Sequence, residues 1–217
     1  MKTVTRLQRL YEAMLEALGP SHWWPGDTPF EIAVGAILTQ NTNWKNVESA
    51  IQNLKQDNAL DPAAILDMPP DHLGELIRPS GYFRMKANKL KNLAIFLRDE
   101  ADMVIENLRD RDPQELRAKI LTINGVGPET ADSILNYALE MPVFVVDTYT
   151  GRIMQRHGLI SEDCSYHELQ NLFTDNLEPD PALFNEFHAL IVRTAKDWCK
   201  KTSPRCESCH LAYDLEN

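Results

Sequence analysis

Three groups of residues in this chain have types and spacings that can do chemistry. Asp147 is a lone acid that ends the apolar run Val143-Phe144-Val145-Val146 and stands where the next helix opens. Asn124-Gly125-Val126-Gly127 reads as a tight turn between apolar helical segments, because glycine takes φ > 0 without steric cost. Pro128 then suits the first position of a new helix, where its missing N–H is no loss. Backbone N–H groups at such a turn and helix start suit an anion, and phosphate is the obvious candidate. Cys199-x6-Cys206-x2-Cys209 brings three thiols close together in the chain, at a spacing that can wrap a metal cluster. Each group also has an ordinary explanation. Gly-x-Gly turns between helices are common, and an Asp after an apolar run is more often an N-cap than a catalyst.

The elements that must position these residues read as helices. Residues 4–18 put Leu7, Leu10, Met14, Leu15 and Leu18 on one stripe, and Gly19-Pro20 stops them. Trp23 and Trp24 follow in a loop, either as plugs over the core edge or as walls of a pocket for a flat ring. Thr28-Pro29-Phe30-Glu31 is a helix start with a capping box, and the helix to Thr39 is nearly all apolar, hence central. It ends in the polar cluster Gln40-Asn41-Thr42-Asn43-Trp44, where Gln40 and Asn41 serve either as helix caps or at an interface. Further helices are expected over 47–54, 82–98 and 112–122, then through Ala131, Ile134, Leu135 and Ala138, and from Phe184 to Trp198. Ser165-x-x-Glu168 and Asp180-Pro181 open others. No stretch keeps a strand alternation, so the fold class is all-α.

The chain has 217 residues, 43% of them hydrophobic, which is enough for a substantial core in one or two domains. No apolar run is long enough to cross a bilayer, and the N-terminus leads into a polar helix rather than a signal peptide, so a cytoplasmic protein without a membrane partner is expected. The net charge of −10 opposes nucleic-acid binding unless basic charge is gathered locally. Arg84, Lys86, Lys89 and Lys91 form one such stretch, and Lys196, Lys200, Lys201 and Arg205 another.

G-V-G-x-x-T-A followed by V-D-T resembles the helix–hairpin–helix DNA glycosylases of the endonuclease III superfamily. The resemblance implies two helical domains, a central one over 29–138 that carries the hairpin and a terminal one from 1–28 plus 139–217, with the active site in the cleft between them. It implies that Gly125, Val126, Gly127, Glu129 and Thr130 meet DNA, and that Gln40 helps fill the gap left by an extruded base. Asp147 becomes the catalytic acid, and the expected partner is damaged double-stranded DNA bound by a monomer. The cluster motif of the superfamily is C-x6-C-x2-C-x5-C. Cys199, Cys206 and Cys209 match it, but its fourth position is Leu215, so a 4Fe–4S cluster has three of its four expected ligands. A zinc site from the three cysteines and His210 is the alternative.

Bifunctional members carry a lysine in the hairpin helix that attacks the sugar. Here that position is Glu129, which cannot form an imine, and Lys119 on the preceding helix is expected to be a surface charge. A monofunctional glycosylase follows. W-W-P, A-I-L-T-Q-N-T, R-P-S-G, G-V-G-x-E-T-A-D-S-I-L and F-H-A-L-I-V together are similar to the 3-methyladenine DNA glycosylases of endonuclease III type. In that branch aromatics at the Trp44 position and in the W-W-P loop enclose the base, so Trp23, Trp24 and Trp44 are the expected pocket. A flat, positively charged alkylpurine would gain from stacking and cation–π attraction there. The alternatives are an endonuclease III-like enzyme for oxidised or mismatched pyrimidines, and a helical module that binds damage without cutting.

Overall fold

The computed structural model describes residues 2–215, and among these the regular structure is helical, as expected. The helices in chain order are α1 (Thr3–Leu18), α2 (Pro29–Leu38), α3 (Trp44–Gln56), α4 (Pro62–Asp67), α5 (Pro70–Leu76), α6 (Phe83–Ala101), α7 (Pro113–Ile120), α8 (Pro128–Ser133), α9 (Thr148–Arg156), α10 (Tyr166–Thr174), α11 (Pro181–Asp197) and α12 (Ala212–Leu215). A π-helical turn, Ile134–Ala138, continues α8. None of the described helices is long and apolar enough to cross a membrane.

Local sequence sets most helix starts. Thr28, Asn43, Asp61, Asp112, Asp147, Ser165 and Asp180 each accept a first-turn N–H with the side chain, worth about 1 kcal/mol apiece. Pro29, Pro62, Pro113, Pro128 and Pro181 fill the first turns, where no N–H is needed. Ser165 and Glu168 close a full capping box. The expected box at Thr28 is half made. Thr28 accepts from Glu31 N–H, but the Glu31 carboxylate turns to Asp27 N–H and to Lys55 Nζ at 2.8 Å. The cation draws it away from the cap.

The chain divides into two compact units. One spans Trp24–Met141. Its core gathers Ala33, Val34, Ile37 and Leu38 of α2, Val47 and Leu54 of α3, Leu90, Leu93 and Leu97 of α6, and Ala131, Ile134 and Leu135 beyond the hairpin. The basic stretch on α6 is mostly spent inside this unit. Lys86 is buried and donates to Leu38 O and Ser80 O at 2.8 and 2.7 Å, and Lys91 donates to Ile65 O and Leu66 O. Only part of the expected basic patch therefore faces solvent: Arg84 is exposed, whereas Lys89 is half-buried.

The other unit joins the residues up to Trp23 with those from Pro142 onward. Leu7, Leu10 and Met14 of α1 meet Ile153 and Met154 of α9 and Phe187, Leu190 and Ile191 of α11 in one core. The apolar run before Asp147 has no regular secondary structure, and Phe144, Val145 and Val146 are buried. Phe144 stacks on Phe173 at 3.9 Å, and its carbonyl is satisfied by Gln170 Nε2 at 2.7 Å. The C-terminal α12 is tied to α1 by Arg6, whose guanidinium grips both oxygens of the buried Asp214 at 2.8 and 2.7 Å. His157 Nδ1 lies 2.7 Å from the same carboxylate.

Candidate functional site

The hairpin lies within the Trp24–Met141 unit. The turn closes where Val126 N–H donates to Ile123 O at 3.0 Å. Gly125 sits at φ +95°, and a Cβ there would come within 2.4 Å of Lys89 Cγ. Gly127 differs from the left-handed turn residue expected. It is extended, with φ −98° and ψ 179°, and caps α8 with open space where a side chain would go. Gly127, Pro128 and Glu129 are exposed, whereas Val126 and Thr130 are buried. Arg117 of α7 grips Asp132 of α8 at 2.6 and 3.1 Å and ties the two hairpin helices together. Asp132 is fully buried, so this pair is intolerant of losing one member.

Gln40 is neither a helix cap nor an idle surface amide. Its Nε2 donates to Thr130 Oγ1 at 2.9 Å and to Gly125 O at 3.3 Å, while Lys89 Nζ donates to its Oε1. Gln40, Gly125, Thr130 and Lys89 are thus one bonded group that braces the hairpin from α2 and α6. Asn43, three residues on, is the cap of α3. Beside Gln40 lies a concavity of about 200 Å³ lined by Asn41, Tyr82, Met85, Lys86 and Lys89. Tyr82 is 62% exposed at φ +47°, and Asn41 also lies in the left-handed region at φ +54°. Tyr82 is not among the residues that the motifs single out. The available signal was an aromatic directly after Gly81 at the foot of a polar helix face.

Trp24 and Trp44 come together in this unit, edge to face at 4.9 Å and 87°. Trp24 also stacks on Tyr137 at 5.1 Å, a ring on the π-helical turn where the apolar spacing predicted a regular helix. Trp24 lies against α2 because Gly35 has no side chain; a Cβ there would meet its Nε1 at 3.2 Å. Trp23 belongs to the other unit, so the three indoles are not a single cluster within either one. The aromatic group of the Trp24–Met141 unit is Trp24, Trp44 and Tyr137.

Asp147 belongs to the unit with both chain ends. It is the N-cap of α9. Its Oδ1 accepts Thr150 N–H at 2.7 Å and Thr150 Oγ1–H at 2.9 Å. Its Oδ2 faces His188 Nε2 of α11 at 3.6 Å. The carboxylate is 11% exposed. Burial pushes its pKa up, but His188 and Thr150 together outweigh that, so it lies below the usual carboxylate value. Capping and the capacity for chemistry coexist at this residue, because the cap uses one oxygen only. His188 stood in the F-H-A-L-I-V segment, where an ionisable ring inside an apolar helix was the signal to follow.

Cys199, Cys206 and Cys209 line one cavity of about 20 Å³, room for a water molecule. Leu215 lines the same cavity in place of a fourth thiol. Arg156 Nη1 donates to Cys199 Sγ at 3.1 Å, and Arg152 Nε to Cys199 O at 2.6 Å. Burial, with the two neighbouring thiols, pushes the Cys209 thiol up. His210 is engaged elsewhere, with Nε2 2.9 Å from Thr194 Oγ1 and its ring edge-on to Trp198. Among the described residues no group of three or more His, Cys, Asp or Glu side chains is arranged to hold a metal. The donors therefore do not fit a four-thiolate cluster, or a zinc site through His210.

Residues 34–179 match the family model for the HhH-GPD superfamily base excision DNA repair protein. A candidate DNA repair glycosylase of Methanocaldococcus jannaschii is 46% identical over 206 residues, covering 94% of this chain and 93% of its own. Among solved structures, the 3-methyladenine DNA glycosylase MagIII of H. pylori bound to 1,N6-ethenoadenine has a TM-score of 0.76 at 29% identity, covering 90% of this chain and 98% of that one. A non-covalent endonuclease III–DNA complex has a TM-score of 0.84 at 23% identity over 98% of this chain and 95% of that one, a likeness of fold. With the hairpin, its brace and a capping carboxylate all in place, the matched span identifies the chain as a DNA glycosylase of the HhH-GPD superfamily of base excision DNA repair proteins.

Proposed function

We propose that this glycosylase is monofunctional: it hydrolyses the N-glycosidic bond of a flipped-out alkylated purine, such as 3-methyladenine, in duplex DNA and leaves an abasic site. The observation that carries this is a buried carboxylate held as an anion, Asp147, in a chain whose hairpin helix presents Glu129 where lyases present an amine. Lys119 offers no substitute, since its Nζ pairs with Glu100 at 2.7 Å.

The exposed head of α8 at Gly127–Glu129 receives a phosphate, and Tyr82 offers a flat face for stacking. Trp24, Trp44 and Tyr137 supply the aromatic faces for an electron-poor base. The C1′–N bond breaks with its electron pair leaving on the base, which neutralises the cationic purine. Water adds its oxygen to C1′ and loses a proton to solvent. A carboxylate of depressed pKa is a poor proton acceptor, so Asp147 acts as a fixed anion beside the oxocarbenium ion rather than as a strong base. At about 4 Å and an effective dielectric near 20, such a charge pair is worth about 4 kcal/mol. That corresponds to roughly 10³-fold in rate.

A duplex carrying 3-methyladenine, scored separately for base release and strand cleavage, tests this. Release without cleavage is expected, with Asp147→Asn slower by about 10²- to 10³-fold. No release, or an undiminished Asp147→Asn, rejects it. The cysteine trio around one cavity favours a second reading, an endonuclease III-like enzyme for oxidised or mismatched pyrimidines. Borohydride trapping of a covalent adduct on such a duplex would establish that one instead.

A further inference from the structure

We propose that His188 is a positioning residue for Asp147: from α11 it holds the carboxylate oxygen that capping leaves over, and so keeps that oxygen aimed and charged for the reaction. The inference rests on the function proposed above, but its central observable does not.

Asp147 has two jobs that compete for one side chain. Capping α9 commits Oδ1 to the N–H and hydroxyl of Thr150. Oδ2 is the oxygen left over, and what meets it decides how firmly it is held. His188 Nε2 at 3.6 Å is the polar group there, within reach of a small closing motion. Both side chains are nearly buried, at 11% and 7% exposure, so water is a poor replacement for the ring. The ring is itself buried in the core stretch of α11, at 5% exposure for the whole residue. A buried ring facing Oδ2 orients that oxygen while Thr150 holds Oδ1.

The remaining charges on the two packed helices are turned elsewhere. Glu186 accepts from Ser21 N–H, and Arg193 donates to Leu18 O and Gly19 O. Arg152 and Arg156 of α9 are held by Cys199, and Lys196 and Asp197 are exposed at the far end of α11. His188 is thus the ionisable group that bears on Asp147, and its contact is among the causes that keep the carboxyl below its ordinary value. Without it, burial would act against Thr150 alone and the carboxyl would titrate at higher pH.

The test has two arms. Carboxyl-detected NMR titration of the full chain follows Asp147 in wild type, His188→Phe and His188→Gln, with no substrate present. His188→Phe is expected to move the Asp147 titration to higher pH, and His188→Gln, which keeps a neutral N–H donor, to move it less. Single-turnover base release is then followed against pH. Loss in His188→Phe is expected to be about 10-fold or more at neutral pH, the scale of a slight misplacement of a reacting group. The acid limb shifts upward with the carboxyl, and His188→Gln is partly rescued. An unmoved Asp147 titration in His188→Phe overturns the proposal, whether or not any base is released. Absent base release in wild type with a moved titration sinks the proposed substrate alone. Since His188→Phe carries the larger folding risk, an unmoved titration in His188→Gln and in His188→Asn together is equally fatal.

Discussion

Two glycines two residues apart in the hairpin should respond to alanine in opposite ways. Gly125 lies at φ +95°, where an L residue costs about 1–2 kcal/mol. Its new Cβ would also sit 2.4 Å from Lys89 Cγ and 2.8 Å from Cδ and Cε. Lys89 is long and can move, so the clash itself is cheap. Moving it withdraws Nζ from Gln40, however, and a partly exposed charge-assisted hydrogen bond of this kind is worth about 1 kcal/mol. Gly125→Ala should therefore cost about 2–3 kcal/mol. For a chain of this size that lowers Tm by roughly 4–12 °C. Gly127 is extended, meets nothing within 4 Å, and serves only as a modest cap of α8. Gly127→Ala should cost no more than about 0.5 kcal/mol. If phosphate seats at the head of α8, the added methyl weakens duplex binding by about 10-fold while stability holds. Thermal unfolding and duplex titration at fixed salt would separate the two effects. Equal Tm losses in both variants, or none in Gly125→Ala, would refute this account of the turn.

Arg117→Ala removes the cation from the buried carboxylate of Asp132 and should cost about 1.5–3 kcal/mol, read by denaturant unfolding. Acid should loosen the tail through Asp214. Burial pushes this carboxyl up, but Arg6 and His157 outweigh that and hold it below the usual value. Its folded pKa is depressed, so its stabilisation is complete above the unfolded carboxylate value of about 4 and is lost as pH falls through the folded value. Wild type should lose Tm in that acid window, while Asp214→Asn starts lower at neutral pH and declines less. Anaerobic treatment with iron and sulfide should leave no stably bound iron, because the three thiols enclose only a water-sized cavity and among the described residues no group is arranged to hold a metal; a retained iron–sulfur chromophore by metal analysis and absorbance would contradict this.

Much of the helical outline was legible because it is local. Caps and prolines act over one turn, so Thr28, Asp147, Ser165 and Asp180 mark starts that hold in the structure, whereas Asn43 opens its helix at Trp44, ahead of the expected Val47. The G-V-G-x-x-T-A and V-D-T segments also carried the family, since those residues serve a turn and a cap that neighbours alone can form. What could not be read were partners distant in the chain. Lys86 looked like part of a basic patch until the carbonyls of Leu38 and Ser80 claimed it. Gln40 read as a cap or an interface residue, and its bond to Thr130, 90 positions away, was not legible from either.

The chain by itself determined where helices begin, which turn needs a glycine, and which acid caps α9, because each of these is decided within a few residues. Only the tertiary structure decided that His188 faces Asp147, that Tyr137 backs Trp24, and that the thiols share their cavity with Leu215. Those pairings depend on how whole helices pack, and packing is fixed by the sum of many apolar contacts that no short window of sequence contains.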